Sequence, residues 1–306
     1  MSAAKADAPI TVLALIDRMT ARLEAAGLTL SDGFGHGTTN AFDEAAWLVL
    51  WRLGLPLGDL DSVQNQPVAP VDQARVAMLL EARIATRKPA AYLTNEAWLM
   101  GVPFYVDERV IIPRSFIAEL IVDESIDPWL GEDTHRVLDL CTGNGSLAVL
   151  GAMAWPDVVV DAADISLDAL EVARINVDKH GLNRRITLLE SNGLAACQGR
   201  KNGGYDLILC NPPYVNATTM AALPAEFRAE PALALAGGDD GMDFIRRLFL
   251  TAAAHMSKYA VLVLEIGNER ENFGRAFPGL EPLWFETSAG PDQVCLLTRE
   301  QLALQH

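Results

Sequence analysis

This chain has few cysteines and fewer positive than negative charges. Its four cysteines, Cys141, Cys197, Cys210 and Cys295, are scattered among 306 residues. No two form a C-x-x-C pair and no histidine stands at ligand spacing from them, so neither a disulfide frame nor a metal site is expected. Lys and Arg number 24 against 40 Asp and Glu, a formal net charge of −16. A chain this acidic repels phosphate backbones, so direct nucleic-acid binding is not expected and a basic protein is the easier partner. Long uncharged apolar runs are also missing. Asp17 and Arg18 interrupt the N-terminal apolar stretch, no export-type cleavage signal follows it, and no window approaches the ~18 residues that a bilayer demands. With its thiols read as reduced, a cytoplasmic protein without membrane association is expected. There is no internal repeat and no low-complexity tract. Half of the residues are apolar, which excludes wholesale disorder, and the length suits two domains of unequal size.

The first hundred residues read as helices. Val12, Leu15, Ile16, Met19 and Leu23 recur at helical spacing and stop at Gly27. A Gly-rich connection, Ser31 to Thr38, leads to a second helix over Ala41 to Leu53, ended by Gly54 and Pro56. A third is expected from about Asp72 to Thr86, with Ala74, Met78, Ala82 and Ala85 as its apolar face and Pro89 closing it. Around Gly101-Val-Pro the pattern turns strand-like and predicts a hairpin. From about residue 136 strands and helices alternate. Strands are predicted over 136–141, 157–164, 186–190, 205–210, 260–266, 282–287 and 293–298, with helices to Trp155, over 166–180 and from about Met242 to Met256. Such alternation implies an α/β fold with a mainly parallel sheet covered on both faces, and ligands in such sheets sit beyond the carboxyl ends of the strands. The expected organisation is a helical domain over 1–97, a hairpin and linker over 98–115, and the α/β domain over 116–306.

Three motifs fall at those strand ends. In Asp139-Leu-Cys-Thr-Gly-Asn-Gly-Ser146, Gly143 and Gly145 allow a tight turn and close approach of a ligand, while the following helix points its first N–H groups into the same space. The spacing does not fit G-x-G-x-x-G, and Asp139 would repel phosphate and attract a cation. Taken alone, the turn could also be an ordinary strand-to-helix connection. Asp164, ending the next strand, can accept both hydroxyls of a ribose or cap the helix that starts near Ser166. Asn211-Pro-Pro-Tyr214 follows an apolar strand, and its paired prolines enforce a rigid, extended turn. The Asn211 side-chain carbonyl and the Pro212 backbone carbonyl can each accept one N–H of a planar NH₂ group, while the Tyr214 ring can stack on it. That arrangement suits a primary amide or an aromatic amine.

Together these motifs resemble class I S-adenosylmethionine-dependent methyltransferases that act on NH₂ nitrogens. N-P-P-Y, rather than D-P-P-Y or S-P-P-Y, is similar to the protein glutamine N5-methyltransferases. Phe34-Gly-His-Gly-Thr-Thr-Asn-Ala-Phe-Asp-Glu-Ala45, Ile112-Pro-Arg-Ser-Phe-Ile-Ala-Glu-Leu120 and Leu297-Thr-Arg-Glu-Gln-Leu302 resemble the branch acting on large-subunit ribosomal protein L-three, not the release-factor branch with I-P-R-P-D-T-E. The likeness runs from about residue 10 to 302. It implies a Rossmann-like, seven-stranded, mainly parallel sheet with a small helical N-terminal domain that reads the substrate. S-adenosyl-L-methionine is the implied cofactor and N5-methylation of a glutamine amide in ribosomal protein L-three the implied reaction. Methylation of release factors, and less readily of a nucleic-acid base amine, are the alternatives.

Residue by residue, the resemblance implies that Cys141, Thr142, Gly143, Asn144 and Gly145 hold the methionine part of the cofactor, with Asp139 beside its amino group. Asp164, with Ile165, would hold the ribose, and Asn192 and Gly193 would border the adenine. Asn211, also beside the cofactor, would bind the substrate amide with Pro212 and Pro213, and Tyr214 would pack on it. Two positions depart from the pattern: Asn192 stands where Asp is usual, and Phe116 replaces a proline. His36 is read as structuring its Gly-rich loop or docking substrate. Cys141 and Cys210 are read as small buried hydrophobes, and Glu265 as facing the pocket or paired locally. Glu226 and Glu230 are expected on a solvated face or against a basic substrate.

Overall fold

A computed structural model of the protein describes residues 10–29, 34, 37–198 and 203–304. They group into two units, one of Met1–Glu96 with Pro224–Ala229, the other of Ala97–Leu223 with Glu230–His306. His36 and most of its Gly-rich connection lie outside the described residues.

The smaller unit holds helices α1 (Val12–Ala25), α2 (Ala41–Leu53), α3 (Leu60–Val63), α4 (Pro70–Thr86) and α5 (Ala90–Thr94). Helix α1 starts where the Thr11 hydroxyl accepts the Ala14 N–H, and it buries Val12, Leu15, Ile16, Met19 and Leu23 along one stripe. Helix α2 starts at Asn40, whose side chain accepts from the Asp43 N–H at 2.9 Å, and ends on left-handed Gly54. The expected face of α4 is wrong. Met78 is 73% exposed, and the buried stripe is Val76, Leu80 and Arg83. The hydrophobic pattern skipped Arg83 because it is charged, yet Arg83 is 0% exposed. Its charge is met by Glu44 of α2 (Nε to Oε1, 2.8 Å) and by Glu226 (Nη1 to Oε1, 3.3 Å), which Arg87 also reaches at 2.7 Å. Glu226 is therefore buried in a charge network that draws Pro224–Ala229 into this unit. It is not on a solvated face.

The larger unit opens with the hairpin of β1 (Ala97–Leu99) and β2 (Val102–Phe104), turned on left-handed Met100 and Gly101. Then follow α6 (Ile117–Val122), β3 (Arg136–Leu140), α7 (Ser146–Ala154), β4 (Val159–Asp164), α8 (Leu167–Lys179), β5 (Ile186–Glu190), β6 (Tyr205–Cys210), α9 (Ala217–Ala221), α10 (Asp243–Phe249), β7 (Met256–Glu265), α11 (Arg270–Ala276), β8 (Leu283–Thr287), β9 (Gly290–Thr298) and α12 (Arg299–Ala303). The main sheet has seven strands in the order β5-β4-β3-β6-β7-β9-β8. Strands β3 to β7 pair in parallel, and β9 runs antiparallel to both β7 and β8. Val137, Leu207, Leu209, Val261 and Val263 face one apolar layer with α6 and α7, while Leu138, Leu140, Ile208, Leu262 and Leu264 face another with α10 and α11. Burial on both faces explains why these strands read as continuous apolar runs rather than alternating ones.

The helix expected from Met242 to Met256 stops at Phe249, and a 3-10 turn over Ala252–Ala254 follows. Strand β7 begins already at Met256, because the Tyr205 N–H donates to the His255 carbonyl at 2.8 Å and Tyr205 pairs with Met256. Pairing with β6 starts the strand four residues before its apolar run does. No helix among the described residues is long and apolar enough to cross a membrane.

Arg83→Ala leaves the Glu44 carboxylate, which burial already pushes above its ordinary value, without its main counter-charge. Chemical denaturation is expected to show a loss of about 3–5 kcal/mol. Met78→Ala is expected to stay within about 0.5 kcal/mol of wild type.

Candidate active site

After β3 the chain steps outward to β4 and β5, then returns to the other side of β3 as β6. The ends of β3 and β6 therefore part company, and a crevice opens between them. At β3 the backbone is left-handed at Cys141, Gly143 and Gly145 (φ 64°, 54° and 80°). A Cβ on Gly145 would come within 3.2 Å of Ala173, so this glycine lets the turn pack on α8. A Cβ on Gly143 would meet nothing within 4 Å, as would one on left-handed Gly193 after β5. Both glycines border the crevice and leave it open.

Asp139 is fully buried and does not line this crevice. One oxygen, Oδ2, accepts from Thr142 Oγ1 and from the Ala148 N–H at 2.9 Å, while Oδ1 has no hydrogen-bond partner. Burial pushes its carboxyl up to about 7. The Asn144 amide nitrogen is a second buried, unpartnered polar atom of the same turn. Asp164 is not the helix cap; Ser166 is, accepting from the Ala169 N–H at 3.2 Å. The Asp164 carboxylate instead accepts from the N–H groups of Gly143 (Oδ2) and Ser166 (Oδ1), both at 2.9 Å, which stakes the turn after β3 to the end of β4. Each oxygen retains a second lone pair for a ligand hydroxyl.

At β6 the loop Asn211–Tyr214 is locked from three sides. The Val215 N–H donates to the Leu235 carbonyl (2.8 Å) and the Gly237 N–H returns to Val215 (2.9 Å). A Cβ on Gly237 or Gly241 would strike the Tyr214 backbone at 2.7 and 2.2 Å, and one on Gly267 would strike its ring at 2.4 Å. The Tyr214 hydroxyl donates to Glu265 Oε1 at 3.2 Å. Burial and the Glu265 carboxylate push the phenol well above its ordinary range. Among the described residues the Asn211 side chain makes no hydrogen bond.

The empty space in the crevice, counting what is open to solvent, is about 810 Å³. Cys141, Gly143, Asp164, Ile165, Asn192, Gly193, Asn211 and Pro213 line it. Asp139, Thr142, Asn144, Gly145, Pro212 and Tyr214 are not among the residues that line it. Cys141, beside Cys210, has its thiol held well above the ordinary value by that contact and by burial.

Sequence reasoning missed the segment before the I-P-R-S stretch. Arg109, Val110 and Ile111 form one wall, with Arg109 held by Asp107 and Glu171. It also missed Asn176, whose amide bridges the Tyr105 and Asn144 carbonyls at 3.0 and 2.9 Å. An asparagine in a helix carries no such signal, whereas the glycines of Gly237-Gly-Asp-Asp-Gly241 did offer one. Glu230 is not solvated either. It forms a two-pronged pair with Arg114 (2.6 and 2.7 Å) and accepts the Ile112 N–H at 2.9 Å.

The strand order, the ligand-sized crevice at the switch point and the two loops that border it define a class I S-adenosylmethionine-dependent methyltransferase. Residues 124–240 match the family model described as Methyltransferase small domain. The catalytic domain of human METTL16, solved with a MAT2A 3′UTR hairpin, superposes with a TM-score of 0.50 at 13% identity, over 75% of this chain and 81% of that one. That likeness shows the fold alone. The ribosomal protein uL3 glutamine methyltransferase of Bordetella pertussis is 51% identical over 95% of this chain and 96% of its own length. The protein of the same name from Burkholderia pseudomallei is 49% identical, with 95% of both chains covered. This chain belongs to the ribosomal protein uL3 glutamine methyltransferase family.

Two expectations follow from the packing. Gly267→Ala forces Cβ against the Tyr214 ring and should cost about 1–3 kcal/mol in denaturation. Gly274→Ala, inside α11 with nothing within 4 Å of the new methyl, should gain about 0.5–1 kcal/mol. A third follows from Asp139. With its folded carboxyl raised to about 7, the folded chain holds a proton that the unfolded chain releases near the ordinary value of 3.8. Its contribution to stability therefore falls as pH rises through that window, and levels off above it. Denaturation midpoints of wild type relative to Asp139→Asn should slope downward between these two values.

Proposed function

We propose that this protein methylates the side-chain amide nitrogen of a glutamine in ribosomal protein uL3, and does so in the cytoplasm. The observation that carries this reading is the near full-length likeness, at about half identity, to proteins named for that reaction. The net charge of −16 suits a basic protein substrate.

The crevice fits the cofactor. Gly143 and Gly193 leave room where side chains would stand, and the turn carries an orphaned acceptor on Asp139 and an orphaned donor on Asn144. Gly143, Asp164, Ile165, Asn192 and Gly193 would hold S-adenosylmethionine, with Cys141, Thr142, Asn144 and Gly145 shaping the turn and Asp139 bracing it through Thr142 and the Ala148 N–H. When bound, the cofactor supplies a methyl group on a positively charged sulfur.

The rest is done by the loop after β6. An amide nitrogen is a poor nucleophile because its lone pair is shared with the carbonyl. Asn211 Oδ1 and the Pro212 carbonyl accept its two N–H bonds, which raises electron density on nitrogen and fixes its orientation. Pro213 keeps the two acceptors rigid, and Tyr214 packs on the amide plane. Positioning supplies most of the acceleration, so no strong base is needed beforehand. The proton leaves after transfer, when the nitrogen is cationic and acidic.

The test is incubation with labelled S-adenosylmethionine and, separately, uL3, a peptide release factor and DNA. Label on a uL3 glutamine is expected. Label on the release factor alone would keep the chemistry and overturn the substrate, and label on DNA alone would overturn both. Asn211→Ala is expected to lower turnover by about two orders of magnitude or more while leaving cofactor affinity within about twofold, read by calorimetry.

A further inference from the structure

Glu265 is a buried acid that the chemistry above does not use. It is the last residue of β7, and Leu264 pairs in register with Cys210, so Glu265 stands beside the start of the Asn211–Tyr214 loop. Only 1% of it is exposed. A carboxylate at that depth is costly unless its oxygens are met. Neutral donors meet them: Ser115 Oγ at 2.6 Å and the Phe116 N–H at 2.9 Å on Oε2, and the Tyr214 hydroxyl at 3.2 Å on Oε1.

We propose that Glu265 is a positioning residue for methyl transfer, holding the Tyr214 phenol with one oxygen and the loop before α6 with the other. The inference rests on the function proposed above. A phenol has one proton to donate, and beside a carboxylate it donates there. The hydroxyl is thereby committed inward, and the ring face is what Tyr214 offers to a flat ligand. Gly267 confines the ring from a second direction, where even a Cβ would come within 2.4 Å. These two restraints together set the ring plane. The second oxygen extends the same order to residues 115 and 116, next to Arg114, which Glu230 grips with both oxygens. One carboxylate thus ties together the loop that would bind the substrate amide and the segment that continues from the Val110–Ile111 wall of the cavity.

The experiment compares wild type, Glu265→Gln, Tyr214→Phe, their double variant and Ser115→Ala. Each is grown with tyrosine carrying ¹³C at the hydroxyl-bearing ring carbon and read by NMR, and each is assayed on uL3. Five tyrosines give five signals, and Tyr214 is the one absent from Tyr214→Phe. Glu265→Gln is expected to shift the Tyr214 signal while the other four stay in place. Its kcat should fall about 10- to 100-fold, with cofactor affinity within about twofold. In the Tyr214→Phe background the same substitution should change kcat by less than about twofold, because the two residues act as one unit. An unmoved Tyr214 signal, or an equal loss of kcat in both backgrounds, would overturn the proposal. Should Glu265→Gln fail to fold, Ser115→Ala decides: a smaller shift of the same signal supports the proposal and none overturns it. A wild-type protein that leaves uL3 unlabelled would sink the functional reading, while the Tyr214 signal would still report on Glu265.

Discussion

Parallel pairing of β3 with β6 is the constraint on which the rest of the larger unit depends. Residues 137–140 run beside 207–210 in register, although two strands and two helices separate them in the chain. That pairing brings the glycine turn and the Asn-Pro-Pro-Tyr loop to the same end of the sheet, where the connections diverge and a crevice must open. A one-residue slip would exchange the two apolar layers and turn every buried strand residue to the wrong side. The register is held because both faces are buried, so no slipped arrangement keeps its hydrophobic contacts.

Of the buried acids among the described residues, four show two contrasting treatments. Glu44 and Glu226 are met by Arg83 and Arg87, a charge network inside the smaller unit. Asp139 and Glu265, at the ends of the central strands, are met by hydroxyls and backbone N–H groups, and both are pushed toward the protonated form. Ion pairing suits a structural junction, since it neutralises charge locally. Neutral donors meet these carboxylates without cancelling the charge, so burial raises both acids above their ordinary values.

Much of this was readable before any coordinates. The apolar strands 136–140 and 205–210, the glycines at 143 and 145, and the paired prolines at 212 and 213 are local signals with local physical meanings, and the seven-stranded α/β sheet follows from their alternation. Other features were not readable because their cause lies far away in sequence. Arg83 belongs to a buried stripe only because Glu44 and Glu226 meet it, so a hydrophobic pattern passes over it. Strand β7 begins at Met256 because Tyr205 pairs there, and nothing in Met256 to Tyr259 announces it. Glu230 looks like a surface acid until Arg114 is seen against it.

By itself, the sequence determined what many short segments do: where α1 and α2 start and stop, which strands are apolar throughout, and which turns require glycine or proline. These outcomes depend on backbone sterics and on periodicity over a few residues. Only the tertiary structure decided which buried charges find partners and that Tyr214 is held between Gly267 and Glu265. Those outcomes depend on distances between groups 39 to 150 positions apart, and electrostatics and packing act on distance in space, which the linear order of residues does not contain.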